Sequence, residues 1–277
     1  VTGIDKLEMT LLPGARDLLA THARELPQRD DLCGAFCGAL ALSAAGIGVQ
    51  DDEPLDQDAV AMAAGSIVSG MREPGTLPYG EPGRRDYRLS VPTIDDHDVS
   101  GTTAAGLRDA IAELSAGALE AVPYNGPWSA ETLAGLFELV AALELPVTLV
   151  ANFATRHLWG SHPSVTQLLA YLYDGDGDGP PSDWDVGHFA CVFGRARGPR
   201  GSLYAVADTY PALGDHGIHM QPQEQLATAL ERRDMPAGGM FVVATAHDAD
   251  AVRAGAAAIG LTEGIWDNGT IAGETSA

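Results

Sequence analysis

The stretch Gln28-Arg-Asp-Asp-Leu-Cys33-Gly34-Ala-Phe-Cys37-Gly-Ala-Leu-Ala-Leu-Ser-Ala-Ala-Gly46 decides how this chain is read. From Cys33 to Ala45 almost every residue is small or apolar, so the helix it predicts is apolar on all sides and belongs inside a domain. Cys33 falls on its first turn, where free backbone N–H groups and the helix dipole favour a thiolate. Gly34 beside it leaves room for a carbonyl to approach the backbone. Cys37 lies one turn further along the same face, inside the helix where the dipole helps less. It is expected to be buried filler, with the alternative that it replaces Cys33 as nucleophile.

Far downstream, Gly187-His188-Phe-Ala-Cys191-Val-Phe and Leu203-Tyr-Ala-Val-Ala-Asp208 read as two strands joined by the turn 195–202. Pairing 194 with 203 sets His188 opposite 209, with Asp208 about one residue away. One residue of slip would reverse the face, so the register leaves their contact open. Alternation sends Cys191 to the opposite face from His188, as packing. A helix-borne thiol, a strand-borne imidazole and an acid that orients it are the parts of a nucleophilic thiol site. Asp208 has a second reading as a turn former before Thr209-Tyr-Pro211.

The rest of the chain predicts helices at 14–25, 56–70, 102–116 (capped by Ser100 or Thr102), 129–144 (capped by Ser129), 164–173 and 247–260. It predicts further strands at 147–152 and 239–246, and a frayed tail from Asp267. Residues 71–102 read as loop. Helices dominate the first half and strands the second. The expected class is therefore α+β, a helical lobe packed on an antiparallel sheet with the active site between them. Residues 1–277 are taken as a single domain, with 50–130 an elaboration or lid of the helical lobe and 154–186 an insertion near the site.

Bulk composition narrows the partners. Formal net charge is −22, which repels phosphate backbones and disfavours nucleic acid. The same charge fits either a solubilising surface or a cationic substrate. No apolar run approaches the roughly 18–20 residues of a membrane span, and the start shows no basic-then-apolar leader. With three cysteines, a disulfide framework is not implied and a reducing cytoplasm is expected. Neither cofactor nor metal is expected. Asp174, Asp176, Asp178 and Asp185 imitate part of a calcium loop, but Pro180-Pro181 and the missing Glu favour a flexible acidic lid. Asp95-Asp96-His97-Asp98 reads as solvated loop, and His157 and His162 as residues near the cleft. His216 and His219 lack matching metal partners.

Gln28 to Gly46, together with the Gly-His-Phe and Val-Ala-Asp elements at 187–189 and 206–208, resembles the papain-like cysteine peptidases of the C39 type. The resemblance covers about 50 residues, with Gln28 one residue closer to the cysteine than usual and Thr209-Tyr-Pro211 where proline usually follows the aspartate. It implies a papain-like fold in which Cys33 attacks a carbonyl, His188 shuttles the proton, Asp208 orients the imidazole and Gln28 donates to the oxyanion. The implied activity is thiol-dependent hydrolysis of a peptide or small-molecule amide through an acyl-enzyme. Alternatives are an acyltransferase that resolves the same intermediate with an amine, and a non-catalytic peptide binder on the same fold.

Overall fold

The computed structural model describes residues 7–50, 52–71, 74–182 and 184–273. The expectations touching Asp51, Arg72, Glu73 and the last four residues lie outside these. The chain runs β1 (Glu8–Leu11), α1 (Ala15–Glu25), α2 (Cys33–Ala44), the short strands β2 (Val49–Gln50) and β3 (Glu53–Pro54), α3 (Gln57–Ala63), and the short strands β4 (Val68–Ser69) and β5 (Thr93–Ile94). There follow α4 (Ala104–Leu114), β6 (Leu119–Tyr124), α5 (Ala130–Ala141), β7 (Thr148–Ala154) and α6 (Val165–Asp174). The last third is β8 (Gly187–Arg197), β9 (Ser202–Ala207), β10 (Ile218–Pro222), α7 (Gln223–Glu231), β11 (Gly239–Thr245) and α8 (Ala246–Ala258).

The class is α+β. Six strands stand in the order β10-β9-β8-β7-β11-β6, and β1 pairs with the far end of β8. Every pairing in this sheet is antiparallel. Helices cover both of its faces, not one. On the first, α2, α3 and α4 pack against Val150, Phe189, Cys191, Phe193 and Phe241. On the second, α5, α7 and α8 pack against Val122, Leu149, Phe153, Val192 and Val242. Strands sandwiched in this way are buried on both faces, as β7 is along its whole length, with Thr148 and Asn152 as its polar residues.

Helix α2 is buried on every side. Gly38 permits this, since a Cβ there would stand 2.8 Å from Val60 Cγ1 and 2.9 Å from Leu107 Cδ1. Burying each large side chain of this layer, such as Phe36 or Leu40, contributes roughly 1.5–3 kcal/mol.

Several sequence expectations need correction. The helix expected over 56–70 stops at Ala63. Gly65 takes a left-handed φ of 61°, and the N–H groups of Gly65 and Ser66 return to the carbonyls of Met62 and Ala61, a Schellman ending. Thr103, not Ser100 or Thr102, caps α4 by accepting from Gly106 N. The segment from Asp267 is not frayed as far as Gly273. Asn268 accepts from Ala104 N and donates to the Thr102 carbonyl, and Gly273 N donates to Gly65 O. The β8–β9 turn is tighter than expected. Arg197 faces Ser202, and a bulge between Val192 and Gly194 leaves Cys191 opposite Ala207, one residue from the expected register. Within 50–130, α3 and α4 pack with α2, whereas 119–124 is the edge strand of the main sheet.

A buried ion pair fixes the segment that leads into α2. Arg29 Nη1 donates to Asp58 Oδ1 at 2.5 Å, Arg29 N donates to Gln57 Oε1, and Asp58 Oδ2 accepts from the backbone N–H groups of Arg88 and Leu89. Removing one partner strands a buried charge. Asp58→Ala is therefore expected to lower unfolding free energy by about 3–5 kcal/mol in urea titration. A loss under about 1 kcal/mol would show that the pair is not what anchors this segment.

Candidate active site

Cys33 is the first residue of α2, and no side chain caps the helix start. Its N-terminal N–H groups are therefore not taken up by a capping side chain. The thiol opens onto a cleft of about 520 Å³, whose lining includes Gln28, Thr102, Trp184, His188 and Arg232. Cys37 and Cys191 are fully buried. Burial, with Cys191 beside it, pushes the Cys37 thiol well above its ordinary range. Cys33 is thus the one thiol that reaches the cleft.

His188, the second residue of β8, is 2% exposed and lines the same cleft as Cys33. Its Nε2 donates to Asp208 Oδ1 at 2.8 Å, with Thr209 Oγ1 at 3.3 Å, and Nδ1 makes no hydrogen bond among the described residues. Trp184 packs edge-on against the ring, centroids 4.7 Å apart. Its own Nε1 donates to the Thr76 carbonyl. Burial disfavours an imidazolium here, but the Asp208 carboxylate and the Cys33 sulfur outweigh it and hold His188 up at about 10.

Asp208 lies just past the end of β9 and is also 2% exposed. Oδ1 takes a second bond from Thr209 N at 2.7 Å, and Oδ2 accepts from His219 Nε2 at 3.0 Å. The His219 tautomer is fixed from behind. Trp159 N donates to Gln221 Oε1, so the Gln221 amide N–H₂ must face the Trp159 carbonyl and His219 Nδ1, making Nδ1 an acceptor. Burial opposes the Asp208 charge, yet His188 and His219 hold its carboxyl well below the usual carboxylate range. The Asp208 carbonyl accepts from His22 Nε2 at 2.6 Å, and its N–H donates to Gly217 O. Gly217 is required there. Its φ is +81°, and a Cβ would stand 2.9 Å from the His22 ring.

Gln28 is buried, and its backbone N–H donates to the Thr209 carbonyl, tying it to the loop that bears Asp208. Its side-chain Oε1 is buried without a partner, and its Nε2 makes no hydrogen bond with the described residues. All four residues singled out by the sequence therefore converge. Cys33, Gln28 and His188 line the cleft, and Asp208 stands behind His188. The other candidates do not join them. Asp174 ends α6 and Asp176 and Asp178 lie on the loop after it, all three exposed, and His216 is exposed. His97 sits on the cleft wall, its Nδ1 3.5 Å from Asp31.

Sequence reasoning missed four participants. His219 sits in β10, whose alternation Ile-His-Met-Gln was its only signal. Trp184, Asn152 and Arg232 surround His188 from three further segments. Asn152 Nδ2 donates to the His188 carbonyl, and its Oδ1 accepts from Arg232 Nη1 and Trp266 Nε1.

The two shifts bound a pH window for stability. The raised His188 contributes stability that is complete below its unfolded value of ~6.5 and is lost as pH rises through about 10. The depressed Asp208 contributes stability present above its unfolded value of ~3.9 and lost as pH falls toward its lower folded value. Urea midpoints of the wild type are thus expected to decline at both ends of this range. In Asp208→Asn the wild-type excess should shrink at both ends, and parallel curves for the two proteins would refute the coupling.

No curated protein matches the chain. Residues 12–267, a span that includes Gln28, Cys33, His188 and Asp208, match a family of unknown function, DUF6885, and the chain belongs to that family.

Proposed function

We propose that this protein is a papain-like cysteine enzyme, similar to the C39-type peptidases, that cleaves a peptide or amide bond through an acyl-enzyme on Cys33. The observation carrying this reading is that Cys33 and His188 line one open cleft while Asp208 holds the imidazole from behind at 2.8 Å. The sulfur that attacks stands at the uncapped start of α2, on the cleft that also exposes His188 to a substrate. The thiolate adds to the substrate carbonyl carbon, and the carbonyl oxygen becomes an oxyanion. Gln28 Nε2 and the N-terminal N–H groups of α2 are the donors available to it. His188 gives its Nδ1 proton to the leaving amine, the C–N bond breaks, and a thioester remains on Cys33. Water then attacks the thioester while His188 takes its proton. The C–S bond breaks, the acid leaves, and the thiolate–imidazolium pair is restored.

Asp208 keeps its charge throughout. It holds the imidazole by Nε2 and stabilises the cation, as an orienting carboxylate does in a triad. Trp184 packs edge-on against the ring and covers that side of the imidazole. A cytoplasmic location without membrane attachment is part of the same proposal. No helix among the described residues is long and apolar enough to cross a membrane.

Limiting iodoacetamide at near-neutral pH, followed by peptide mass mapping, tests the thiol assignment. Alkylation is expected at Cys33 with Cys37 and Cys191 unlabelled, at a rate above that of free cysteine. His188→Ala should slow it by about tenfold or more, in keeping with loss of an adjacent general base. An unchanged rate in His188→Ala, or equal labelling of all three thiols, would reject the mechanism.

A further inference from the structure

The cleft holds a buried cation that the mechanism above does not use. Arg232 is 4% exposed and lines the same cleft as Cys33. Its Nη1 donates to Asn152 Oδ1 at 2.5 Å, and this is the single hydrogen bond of the guanidinium among the described residues. Nε is buried without an acceptor, Nη2 has none either, and no described carboxylate lies within ion-pair distance. Isolated buried guanidinium groups are expensive, and proteins normally pair them. Here burial alone pushes the group down to about 10, with the Cys33 sulfur as the one nearby charge acting the other way.

Three observations argue that the arrangement is kept for a ligand. First, the partner is a neutral amide, and Asn152 is itself held by Trp266 and the His188 carbonyl, so the guanidinium is positioned without being neutralised. Second, Arg232 follows α7 with a φ of 44°, a left-handed conformation usually left to glycine. A cation at a helix C-terminus would ordinarily serve the last carbonyls, yet this side chain reaches across to β7 instead. Third, Gly187, next to His188, leaves the space that Nη2 occupies. A Cβ at Gly187 would stand 2.4 Å from it. None of the four acids on the cleft wall, Asp30, Asp31, Asp98 and Asp185, lies within ion-pair distance of Arg232. Asp31 accepts from Ser69 N and faces His97, and Asp185 pairs with Arg156.

We infer that Arg232 binds a carboxylate on the substrate, close to the carbonyl that Cys33 attacks, so that the substrate is an amide carrying an acid group beside the scissile bond. The inference rests on the thiol mechanism and narrows its substrate class. A buried guanidinium on a cleft whose wall also carries Asp30, Asp31, Asp98 and Asp185 suits a monoanion better than a doubly charged phosphate. It also reverses what the net charge of −22 suggests, because the cation is buried where bulk charge does not describe the local field.

Iodoacetate and iodoacetamide are nearly isosteric and differ in one charge, so their relative rates at Cys33 read the field at the reacting carbon. At low ionic strength the iodoacetate-to-iodoacetamide ratio at Cys33 is expected to exceed that of free cysteine by about tenfold, the scale of one charge-assisted hydrogen bond. In Arg232→Gln the ratio should fall by about tenfold, and in Arg232→Lys it should lie between. The His188 imidazolium is present in all three proteins, so the difference reports Arg232. A wild-type ratio at or below that of free cysteine, or the same ratio in Arg232→Gln, overturns the inference. So does an equal fall of both rates, which would assign Arg232 to the reacting carbonyl. If Arg232→Gln does not fold, the wild-type ratio and Arg232→Lys decide. Failure of the thiol mechanism looks different: iodoacetamide alone would then react with wild-type Cys33 no faster than with free cysteine.

Discussion

Asp208 is a carboxylate almost without access to water, and the rest of the site is arranged around keeping it charged. A buried anion survives only if its oxygens meet enough donors. Two imidazoles and one backbone N–H meet them here, while the carbonyl and N–H of the same residue are held by His22 and Gly217. These partners come from α1, β8, β10 and the loop between β9 and β10. The anion therefore draws distant parts of the chain to one point, and His188 takes its orientation from it. Breaking such a cluster at one member costs more than the pair alone, because each remaining group loses its partner too.

The helical layer answers the same need from the other side. Cys33 reaches the cleft beside His188 with its helix start uncapped, because α2 is wedged between α1, α3, α4 and the sheet. The glycines at 34 and 38 let it sit that deep. A Cβ at 34 would meet Thr102 Cβ at 2.9 Å, so Thr102 and α2 can close on each other only across a glycine. The Arg29–Asp58 pair fixes the approach from Gln28 to Cys33, and the Gln28–Thr209 backbone bond closes the circuit back to Asp208.

Much of this was legible in the residues. The all-apolar run 33–45 announced a central helix, and the Ser129 cap and the strand at 147–152 followed from ordinary signals. Cys33, His188, Asp208 and Gln28 could be chosen because each sits in a recognisable local pattern. What escaped had no such pattern. β6 contains Pro123, which reads against a strand and is tolerated because β6 is at the sheet edge. Helix α7 and strand β10 are short, and the second helical layer lies where continuous apolar strands hide their two-sidedness. The hairpin register depended on a bulge that alternation cannot foresee. His219 and Arg232 acquire meaning only through neighbours brought in by the fold, Gln221 behind one and Asn152 behind the other.

Residues 267–273 leave the sheet side of the molecule near Trp266 and cross to the helical side, where Asn268 and Thr270 bond to Thr102 and Ser100. Asn268, Gly269 and Thr270 also form part of the cleft wall. One strap thus stitches the two layers together and gives the binding surface one of its sides. Trimming the chain back to Trp266 would spare most of the apolar interior, yet leave the cavity open along one flank and the start of α4 without its amide clasp.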